Sequence, residues 1–179
     1  MITVSEGRPS DPRSQREAAA YDTLDALGIR YRRADHPVAD TMEACTEIDR
    51  ALGVRMCKNL FLCNRQKTAF YLLLMPGDKP FRTKELSGQL GVARLSFGDK
   101  EDMERLLGLL PGSVSVMGLL HDTDGAVRLL IDEELLSEEE IGCHPLVNTS
   151  SIAFPTEMLF KVFLPAVRHS PTFVTLARE

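Results

Sequence analysis

Three short segments carry groups that could do chemistry, and the first is Cys57-Lys58-Asn59. An apolar run follows it and predicts a strand, so Lys58 would project from the point where that strand begins. A lysine in such a place offers a positioned cation to a phosphate or a carbonyl oxygen. Taken alone, the segment is explained better by a solvated lysine at the junction of two elements.

The second segment is the loop at residues 111–118, with the sequence PGSVSVMG. Glycines around small hydroxyl residues let backbone N–H groups approach a ligand closely and bind a developing oxyanion. No Gly-Lys-Ser/Thr follows and the spacing is not GxSxG, which argues against a phosphate-binding Walker loop and a serine nucleophile elbow. An ordinary tight turn is the alternative.

The third segment is Gly142-Cys143-His144-Pro145. We expect His144 to lie just before a strand, with Pro145 holding it in an extended conformation. A histidine there can act as a base, orient a water molecule, hydrogen-bond a substrate or be a satisfied structural residue. Cys143 suggests a Cys-His nucleophile, but adjacent residues of a strand point to opposite faces, so thiol catalysis is the weakest interpretation.

Metal and disulfide chemistry have little support in the sequence. The cysteines form no CxxC pair, and the four histidines show no HExxH or other ligand spacing. We therefore predict no metal and no cofactor. We expect the cysteines to be buried small apolar residues, and they are Cys45, Cys57, Cys63 and Cys143.

The elements that must position these segments alternate between helices and strands. Helices are predicted from a cap at Ser10 to Gly28, from Asp40 or Thr41 to Gly53, at 83–90 closed by Gly91, at 99–107 closed by Gly108, and from Pro155 to Pro165. Strands are predicted at 29–34, 59–64, 68–75, 127–131 and 146–154. Several strands are joined by turns of hairpin length, and no regular βαβ period appears. This order favours an α/β fold with a mixed sheet.

Length and composition indicate a single globular domain. The chain has 179 residues, of which 44% are hydrophobic and 26% charged, the usual balance of a soluble domain. The start has no basic and apolar signal pattern, and no run of about 18 apolar residues occurs, so we expect a cytoplasmic protein without a membrane. We expect residues 1–10 to be a loose tail, residues 11–165 to form the domain, and residues 166–179 to be a carboxyl-terminal tail.

The charge distribution limits the kind of nucleic-acid contact. A net charge of −5 argues against a protein that coats nucleic acid through its positive field. Residues 55–105 carry ten basic and six acidic side chains, whereas residues 121–140 carry eight acidic ones and Arg128. This pattern suits a weak contact with an RNA end, or it is ordinary surface charge.

Four stretches carry a resemblance to a known family. They are His36-Pro37 with Thr41 and Glu43-Ala44, then KNLFL from Lys58, PGSVSVMGLLHD from Pro111, and HPLVNTSSI from His144. In this order they resemble the YbaK-like family of trans-editing proteins and the editing domain inserted in bacterial prolyl-tRNA synthetases. The free-standing ProX or PrdX branch, which looks like alanyl-tRNA(Pro) deacylase, is the most similar. The resemblance covers residues 21–164 and implies a mixed, largely antiparallel curved sheet flanked by helices.

The resemblance also implies a reaction. Water would attack the ester between a small, wrong amino acid and the terminal adenosine of tRNA(Pro), without a metal or a protein nucleophile. The substrate would be most like Ala-tRNA(Pro), and the terminal ribose hydroxyl would help to activate the water. The partner would be the acceptor end of mischarged tRNA, with prolyl-tRNA synthetase as a further candidate. The oligomeric state stays open.

The resemblance assigns roles to the three segments. The catalytic candidates are Lys58, His144 and Gly112. Lys58 and Asn59 would hold the terminal nucleotide, the 112–118 loop would face the aminoacyl carbonyl, and His144 would shape the amino-acid pocket. A cavity between Lys58, Met117 and His144 would fit alanine but not proline. The substrate-binding candidates are Thr41, Asn59, Ser113, Val114, Ser115, Val116, Met117, Gly118 and Pro145.

Two positions depart from the family pattern. Val116 stands where the family usually has a proline, and His121 stands where asparagine is common. The missing proline should loosen the loop. The departures keep open a non-catalytic module that senses an amino acid or tRNA, and a cysteine-dependent protein using Cys143 and His144 is the third alternative.

Overall fold

The computed structural model describes residues 2–179, and its strands form two sheets. The first sheet contains β1 (Thr3–Glu6), β2 (Arg32–Asp35), β7 (Glu140–Cys143) and β8 (Ser150–Pro155). All its pairs are antiparallel, and the spatial order is β1-β2-β8-β7.

The second sheet is mixed. It contains β3 (Cys57–Cys63), β4 (Phe70–Pro76), β5 (Ser96–Phe97), β6 (Val127–Asp132) and β9 (Thr172–Val174). In the order β5-β3-β4-β6-β9, β3 pairs antiparallel with both β4 and β5, while β6 pairs parallel with both β4 and β9. The predicted α/β class with a mixed, largely antiparallel sheet is confirmed, although the strands divide into two sheets.

A single parallel bridge between Met56 and Gly142 joins the two sheets where β3 begins and β7 ends. Gly142 suits this contact, because a Cβ on it would lie 2.7 Å from the Met56 sulfur and 3.0 Å from a Val54 methyl group, and these side chains would have to shift. The glycine therefore lets the sheets meet edge to edge beside Lys58 and His144.

The β3–β4 hairpin was predicted correctly, and its turn is stabilised by Asn64. The Asn64 side-chain oxygen accepts the N–H groups of Thr68 at 2.8 Å and Ala69 at 3.1 Å. Every residue of β4 is buried, as its continuous apolar run predicts for a strand covered on both faces.

The helices pack on the faces of these sheets. They are α1 (Gln15–Ala26), α2 (Met42–Leu52), α3 (Thr83–Leu90), α4 (Lys100–Leu107), the 3₁₀ helices Val116–His121 and Glu133–Ser137, and a last helix of three parts, α5 (Thr156–Met158), a π segment (Leu159–Phe163) and α6 (Leu164–Ala166). Among the described residues, none of the helices combines the length and apolarity that crossing a membrane requires.

Most predicted helix ends are confirmed. Thr41 and Asp99 cap α2 and α4, and Gly53, Gly91 and Gly108 end α2, α3 and α4 in the left-handed conformation. The predicted start of α1 at Ser10 was wrong, because Ser14 is the cap and accepts the N–H of Glu17 at 3.2 Å.

The end of the last helix was also predicted wrongly. The helix continues through Pro165 to Ala166, because the preceding π segment changes the hydrogen-bond register. Pro165 then lies in the first turn of α6, where an N–H group is not needed.

Both predicted tails contain strands, so the expectation that residues 1–10 are loose was wrong. Thr3–Glu6 pairs with β2, and Thr172–Val174 pairs with β6. Strands of four and three residues are too short to show a clear period-two pattern. Their pairing depends on sheet edges that distant parts of the chain supply.

The cysteines follow the prediction only in part. Cys63 and Cys143 are buried and Cys57 is half-buried, but Cys45 is exposed. Cys45 lies on the outer side of α2, whose buried residues are Ile48 and Leu52.

Candidate functional site

The ends of two strands bring His36 and His144 together. Strands β2 and β7 lie on either side of β8 and both run antiparallel to it, so their carboxyl ends meet at its first residues. His36 follows β2 and His144 follows β7, and their ring centroids are 6.3 Å apart. The sequence prediction placed His144 before a strand, whereas the structure places it after β7 and starts the next strand at Ser150.

The hydrogen bonds of His144 define its tautomer. Its Nδ1 lies 2.9 Å from the carbonyl oxygen of Ser150, which can only accept, so Nδ1 carries the proton. Within residues 2–179, Nε2 of His144 has no hydrogen-bond partner. In the neutral ring this nitrogen holds an open lone pair, which could accept a proton from water or from an amino group.

Burial lowers the pKa of His144 below its ordinary range, and the neighbouring His36 adds to this effect. The hydrogen bond to Ser150 acts in the opposite direction but does not outweigh the burial. His144 is therefore neutral at pH 7, which is the state a general base needs before the reaction.

His36 is held by two hydrogen bonds of its own. Its Nδ1 lies 2.8 Å from the Pro37 carbonyl, and its Nε2 lies 2.8 Å from the buried hydroxyl of Ser151. Since the carbonyl accepts, the Nδ1 of His36 carries the proton and Ser151 donates to Nε2. Ser151 Oγ also lies 3.5 Å from His144 Nδ1, so the serine stands between the two rings.

A cluster of charges lies behind the first residue of β8. The Ser150 hydroxyl donates to Asp35 at 2.6 Å, and Arg13 bonds both Asp35 at 3.0 Å and Glu17 at 2.8 Å. Burial of Asp35 opposes its ionisation, but the bonds from Arg13, Ser150 and Arg33 prevail and hold its pKa well below the usual range. This network orients Ser150, whose carbonyl oxygen accepts the hydrogen bond from the Nδ1–H of His144.

The turn between β7 and β8 is strained. Leu146 has φ of 66°, the left-handed region that a leucine rarely adopts, and its side chain is fully buried. Burial of Leu146 and the adjacent Pro145 holds this conformation. The turn thereby directs His144 toward β8 and brings Asn148 beside the glycine loop.

Gly112 and Ser115 attach the glycine loop to this turn. Gly112 has φ of 89°, and a Cβ on it would lie 3.3 Å from the Asn148 side-chain nitrogen. The Ser115 hydroxyl donates to the His144 carbonyl at 2.6 Å and accepts the Met117 N–H at 3.1 Å. Ser115 thus caps the 3₁₀ helix Val116–His121 and holds the backbone of His144.

Some backbone donors of the loop remain open. Ser113 N–H bonds Leu110, and Gly118 N–H bonds Ser115. Within residues 2–179, the N–H groups of Gly112, Val114 and Ser115 donate to no other group of the chain. Gly112 is exposed and Val114 is half-buried, so their N–H groups can receive a carbonyl oxygen, whereas Ser115 is fully buried.

The last three residues of the 112–118 segment have a packing role. Val116 and Met117 are fully buried. A Cβ on Gly118 would lie 2.8 Å from the Leu109 side chain and 3.1 Å from the Leu107 carbonyl. We expected Gly118 to let a ligand approach, but its small size serves the contact with the end of α4.

Lys58 and Asn59 lie on opposite faces of β3. Cys57 and Cys143 share one apolar core, so alternation turns Lys58 and His144 to the other face of the joined sheets. There the Lys58 ammonium donates to the Lys79 carbonyl at 2.6 Å. Asn59 faces the Cys57 side, where its Oδ1 is buried without a partner among residues 2–179.

Thr41 lies at the same end of the first sheet as His36. Arg32 at the start of β2 donates to the carbonyl of Leu52, the last residue of α2, at 2.6 Å. The helix therefore runs back along β2, and its first turn approaches the end where His36 stands. Thr41 is exposed, and its hydroxyl accepts the Ala44 N–H at 3.1 Å.

Burial disfavours thiol chemistry. It raises the pKa of Cys143 to about 12 and that of Cys57 to about 12, so neither thiolate forms near neutral pH. The cysteine-dependent alternative therefore loses its physical basis.

Three surface cavities of the described residues have volumes of 570, 270 and 550 Å³. The first lies beside Lys79, Asp132 and Leu176, and the other two lie near the segment before α1. None of the three is lined by Lys58, Met117 or His144, and the alanine-sized cavity stays a prediction.

Sequence reasoning left out three residues that the structure brings to His144 or to Gly112. They are His36, Ser151 and Asn148. The repeated His-Pro dipeptide was a usable signal for His36. Ser151 carried no signal, because its place depends on β2 and β7 converging on β8.

Comparisons with known proteins identify the family of this chain. A family model described as an aminoacyl-tRNA editing domain matches residues 36–162, which include both histidines, Lys58 and the glycine loop. The chain belongs to the aminoacyl-tRNA editing domain family, and the YbaK/ProX resemblance is confirmed. Membership in this family implies a deacylase that acts on aminoacyl-tRNA.

Two relatives and one solved structure illustrate the similarity. The prolyl-tRNA editing protein ProX of Acetoanaerobium sticklandii is 30% identical over 80% of this chain and 88% of its own. The prolyl-tRNA synthetase associated domain-containing protein 1 of Mus musculus is 30% identical over 88% of this chain and 95% of its own. A crystal structure of a candidate trans-editing enzyme for prolyl-tRNA synthetase has a TM-score of 0.68 at 17% identity, covering 93% of this chain and all of that one.

Proposed function

We propose that this protein removes alanine from mischarged Ala-tRNA(Pro) by hydrolysing the ester to the terminal adenosine. The observation that carries the proposal is the geometry of His144: a neutral ring with Nε2 open, its backbone bound to a loop with unused N–H donors. A base beside oxyanion donors is the arrangement that ester hydrolysis needs.

In the proposed reaction the substrate carbonyl oxygen lies against the open N–H groups at Gly112 and Val114. Water attacks the carbonyl carbon, and negative charge develops on the oxygen that these donors face. The ester C–O bond then breaks, the ribose oxygen takes a proton, and alanine and free tRNA leave. His144 Nε2 orients the water or accepts its proton, together with the neighbouring ribose hydroxyl.

Lys58 is assigned to the phosphate of the terminal nucleotide. Its ammonium is a compact point charge, suited to binding an oxyanion rather than to removing a proton. Asn59 and Thr41 remain substrate-binding candidates. The unused acceptor of Asn59 is buried on the face of β3 opposite Lys58, so Asn59 would contact a different part of the substrate from Lys58. Thr41 stands where α2 begins, five positions after His36.

No protein nucleophile and no metal are part of this proposal. The thiols of Cys57 and Cys143 stay protonated, and the Ser115 and Ser151 hydroxyls are committed to the His144 carbonyl and to the His36 ring. Water is therefore the attacking group that fits these residues.

Alanine is the proposed amino acid because a synthetase pocket built for proline rejects a smaller residue poorly. One missing methylene changes binding by only about 1–3 kcal/mol, so a second site that admits alanine and excludes proline restores accuracy. We also propose that the protein receives its substrate as free tRNA or from prolyl-tRNA synthetase.

A direct assay tests the proposal. Purified protein is mixed with Ala-tRNA(Pro), Cys-tRNA(Pro), a Ser-tRNA and correctly charged Pro-tRNA(Pro), and loss of the ester is followed. We expect rapid loss of the alanyl ester and none of the prolyl ester. Binding of Ala-tRNA(Pro) without any acceleration of ester loss would favour the sensing module instead.

The departure at Val116 does not favour the sensing module. Val116 is the first residue of the 3₁₀ helix and is fully buried, and the Ser115 cap holds the loop without a proline at this position.

A further inference from the structure

Lys79 is a buried lysine with no part in the proposed reaction. Its side chain is only 3% exposed, and its ammonium bonds Asp132 at 2.6 Å, Glu134 at 2.8 Å and the Leu176 carbonyl at 2.7 Å. Lysines are almost never buried to this extent unless they are paired. All three hydrogens of the ammonium have acceptors, so Lys79 anchors the chain that follows β4 in one position.

The backbone of Lys79 contacts the candidate site. Its carbonyl oxygen accepts the hydrogen bond from the Lys58 ammonium at 2.6 Å. The residue that the buried charges hold is therefore the residue that sets the direction of the Lys58 side chain.

One of the anchors of Lys79 comes from the end of the chain. We call residues 172–178 the carboxyl-terminal strap. Besides pairing with β6, the strap receives a bond from Gln89 to Thr175 at 2.8 Å, and Ala177 donates to Glu85 at 2.7 Å. Leu176 is buried in the core on this side of the second sheet, so its carbonyl is held firmly against Lys79.

We propose that Lys79 and the carboxyl-terminal strap are positioning elements for Lys58. The effect on catalysis rests on the proposed function, because it assumes that Lys58 holds the terminal phosphate. Without the strap, the Lys79 ammonium loses one acceptor, its carbonyl is free to shift, and Lys58 no longer points in one direction. The loss should appear mainly as a higher KM, as expected for a group that binds substrate in both ground and transition states.

The charges around Lys79 keep this anchor intact at neutral pH. Burial opposes the charged form of Lys79, but its bonds to Asp132 and Glu134 prevail and raise its pKa. Arg178 and Lys79 together lower the pKa of Glu134 to about 2. The anchor is therefore a network of ionised groups at neutral pH.

The test uses two variants and a double-mutant cycle. Lys79→Met removes the anchor directly, and a chain ending at Val174 removes the Leu176 carbonyl while leaving Lys79 paired with Asp132. The truncated chain keeps the proposal testable if Lys79→Met does not fold. We expect kcat/KM for Ala-tRNA(Pro) to fall about tenfold or more, since a misplacement of about 1 Å can cost about 10²-fold.

The same truncation in a Lys58→Ala background should cause no further loss, because the strap acts through Lys58. Equal losses in the two backgrounds would show a merely structural role and overturn the proposal. Arg128→Ala is the matched control: Arg128 is exposed and bonds Thr172 of the strap at 3.3 Å without touching Lys79. It should leave kcat/KM unchanged.

A second readout does not depend on activity. The side-chain NMR signal of Lys58, assigned with the Lys58→Ala variant, should shift and broaden in the folded truncated chain but not in Arg128→Ala. An unmoved signal overturns the inference whether or not the protein hydrolyses the ester. Absence of hydrolysis by the wild-type chain would instead contradict the proposed function.

Discussion

His144 and Lys58 lie on the same face of the joined sheets, but the chain holds them in different ways. His144 donates to Ser150, six positions further along the chain. Lys58 donates to Lys79, 21 positions away, and Lys79 in turn is anchored by Leu176, a further 97 positions along. The acceptor that fixes the His144 ring is thus a near neighbour in the chain, whereas the acceptor that fixes Lys58 depends on remote residues; we call the two the local and the remote half of the candidate site.

The difference follows from the chemistry of the two groups. An imidazole acts as a base only if one nitrogen is held as a donor and the other is left open, and a strained turn beside a strand can do this locally. A lysine on four flexible carbons needs an acceptor at the far end of its side chain. That acceptor has to come from elsewhere in the fold.

The largest effect is expected from His144→Asn, which removes the proposed base from the local half of the site. The asparagine amide can still donate to the Ser150 carbonyl, but it has no base in place of Nε2. We expect kcat to fall about 10²–10⁴-fold, the usual range for loss of a general base, with little change in thermal stability. Steady-state deacylation of Ala-tRNA(Pro) and a melting curve measure the two.

His121→Asn is the matched control for that variant. His121 is exposed and packs against Gly108. The His121→Asn variant should be as active as the wild type. If His144→Asn were as active as this control, His144 would only shape the pocket.

The pH dependence separates the two halves. Because the pKa of His144 is lowered, the acid limb of kcat/KM should lie below the ordinary histidine value of about 6.5 and fall tenfold per pH unit. His144→Asn should remove this limb, whereas truncation of the strap should leave it in place. A limb that persists in His144→Asn would assign the titration to another group.

The free energy of unfolding should also decrease as the pH falls, because of His144. A histidine with a lowered folded-state pKa binds its proton more readily in the unfolded chain. Its contribution is therefore present above a pH of about 6.5 and is lost as the pH falls through the folded-state value. Urea unfolding of the wild type and His144→Asn across this range would measure it.

A smaller effect is expected from Ser115→Ala, which frees the loop from His144. The variant loses a helix cap and the bond to the His144 carbonyl, and we expect a cost of about 1–2 kcal/mol in unfolding free energy. Activity should fall as well, while the Lys58 NMR signal stays unchanged. Ser14→Ala, which removes the cap of α1, is the matched control and should lose stability without losing activity.

The sequence predicts well those features of the fold that depend on contacts between residues close together in the chain. Thr41, Gly53, Gly91 and Gly108 mark helix ends because capping is a contact within a few residues. The β3–β4 hairpin is predictable for the same reason. The strands β1, β7 and β9 were missed because each has only three or four residues.

The candidate site shows the same limit. The segment around His144 and the glycine loop could be recognised, but their contact through Ser115 could not, because 29 positions separate the two residues. The partition of Lys58 and Asn59 onto opposite faces was available from strand alternation alone. The anchor of Lys58 was not, since it depends on where the last residues of the chain pack.

The smallest effect is expected from Thr41→Ala, because Thr41 belongs neither to the half of the site around His144 nor to the half around Lys58. Thr41 caps α2, and removing a cap costs about 1 kcal/mol. If its hydroxyl also donates to the substrate, kcat/KM should fall by at most about tenfold, the worth of one hydrogen bond. Thr46→Ala is the control, because Thr46 is exposed on the same helix and bonds only Met42. Loss of stability with unchanged kcat/KM would make Thr41 a cap alone and confine substrate binding to the two halves.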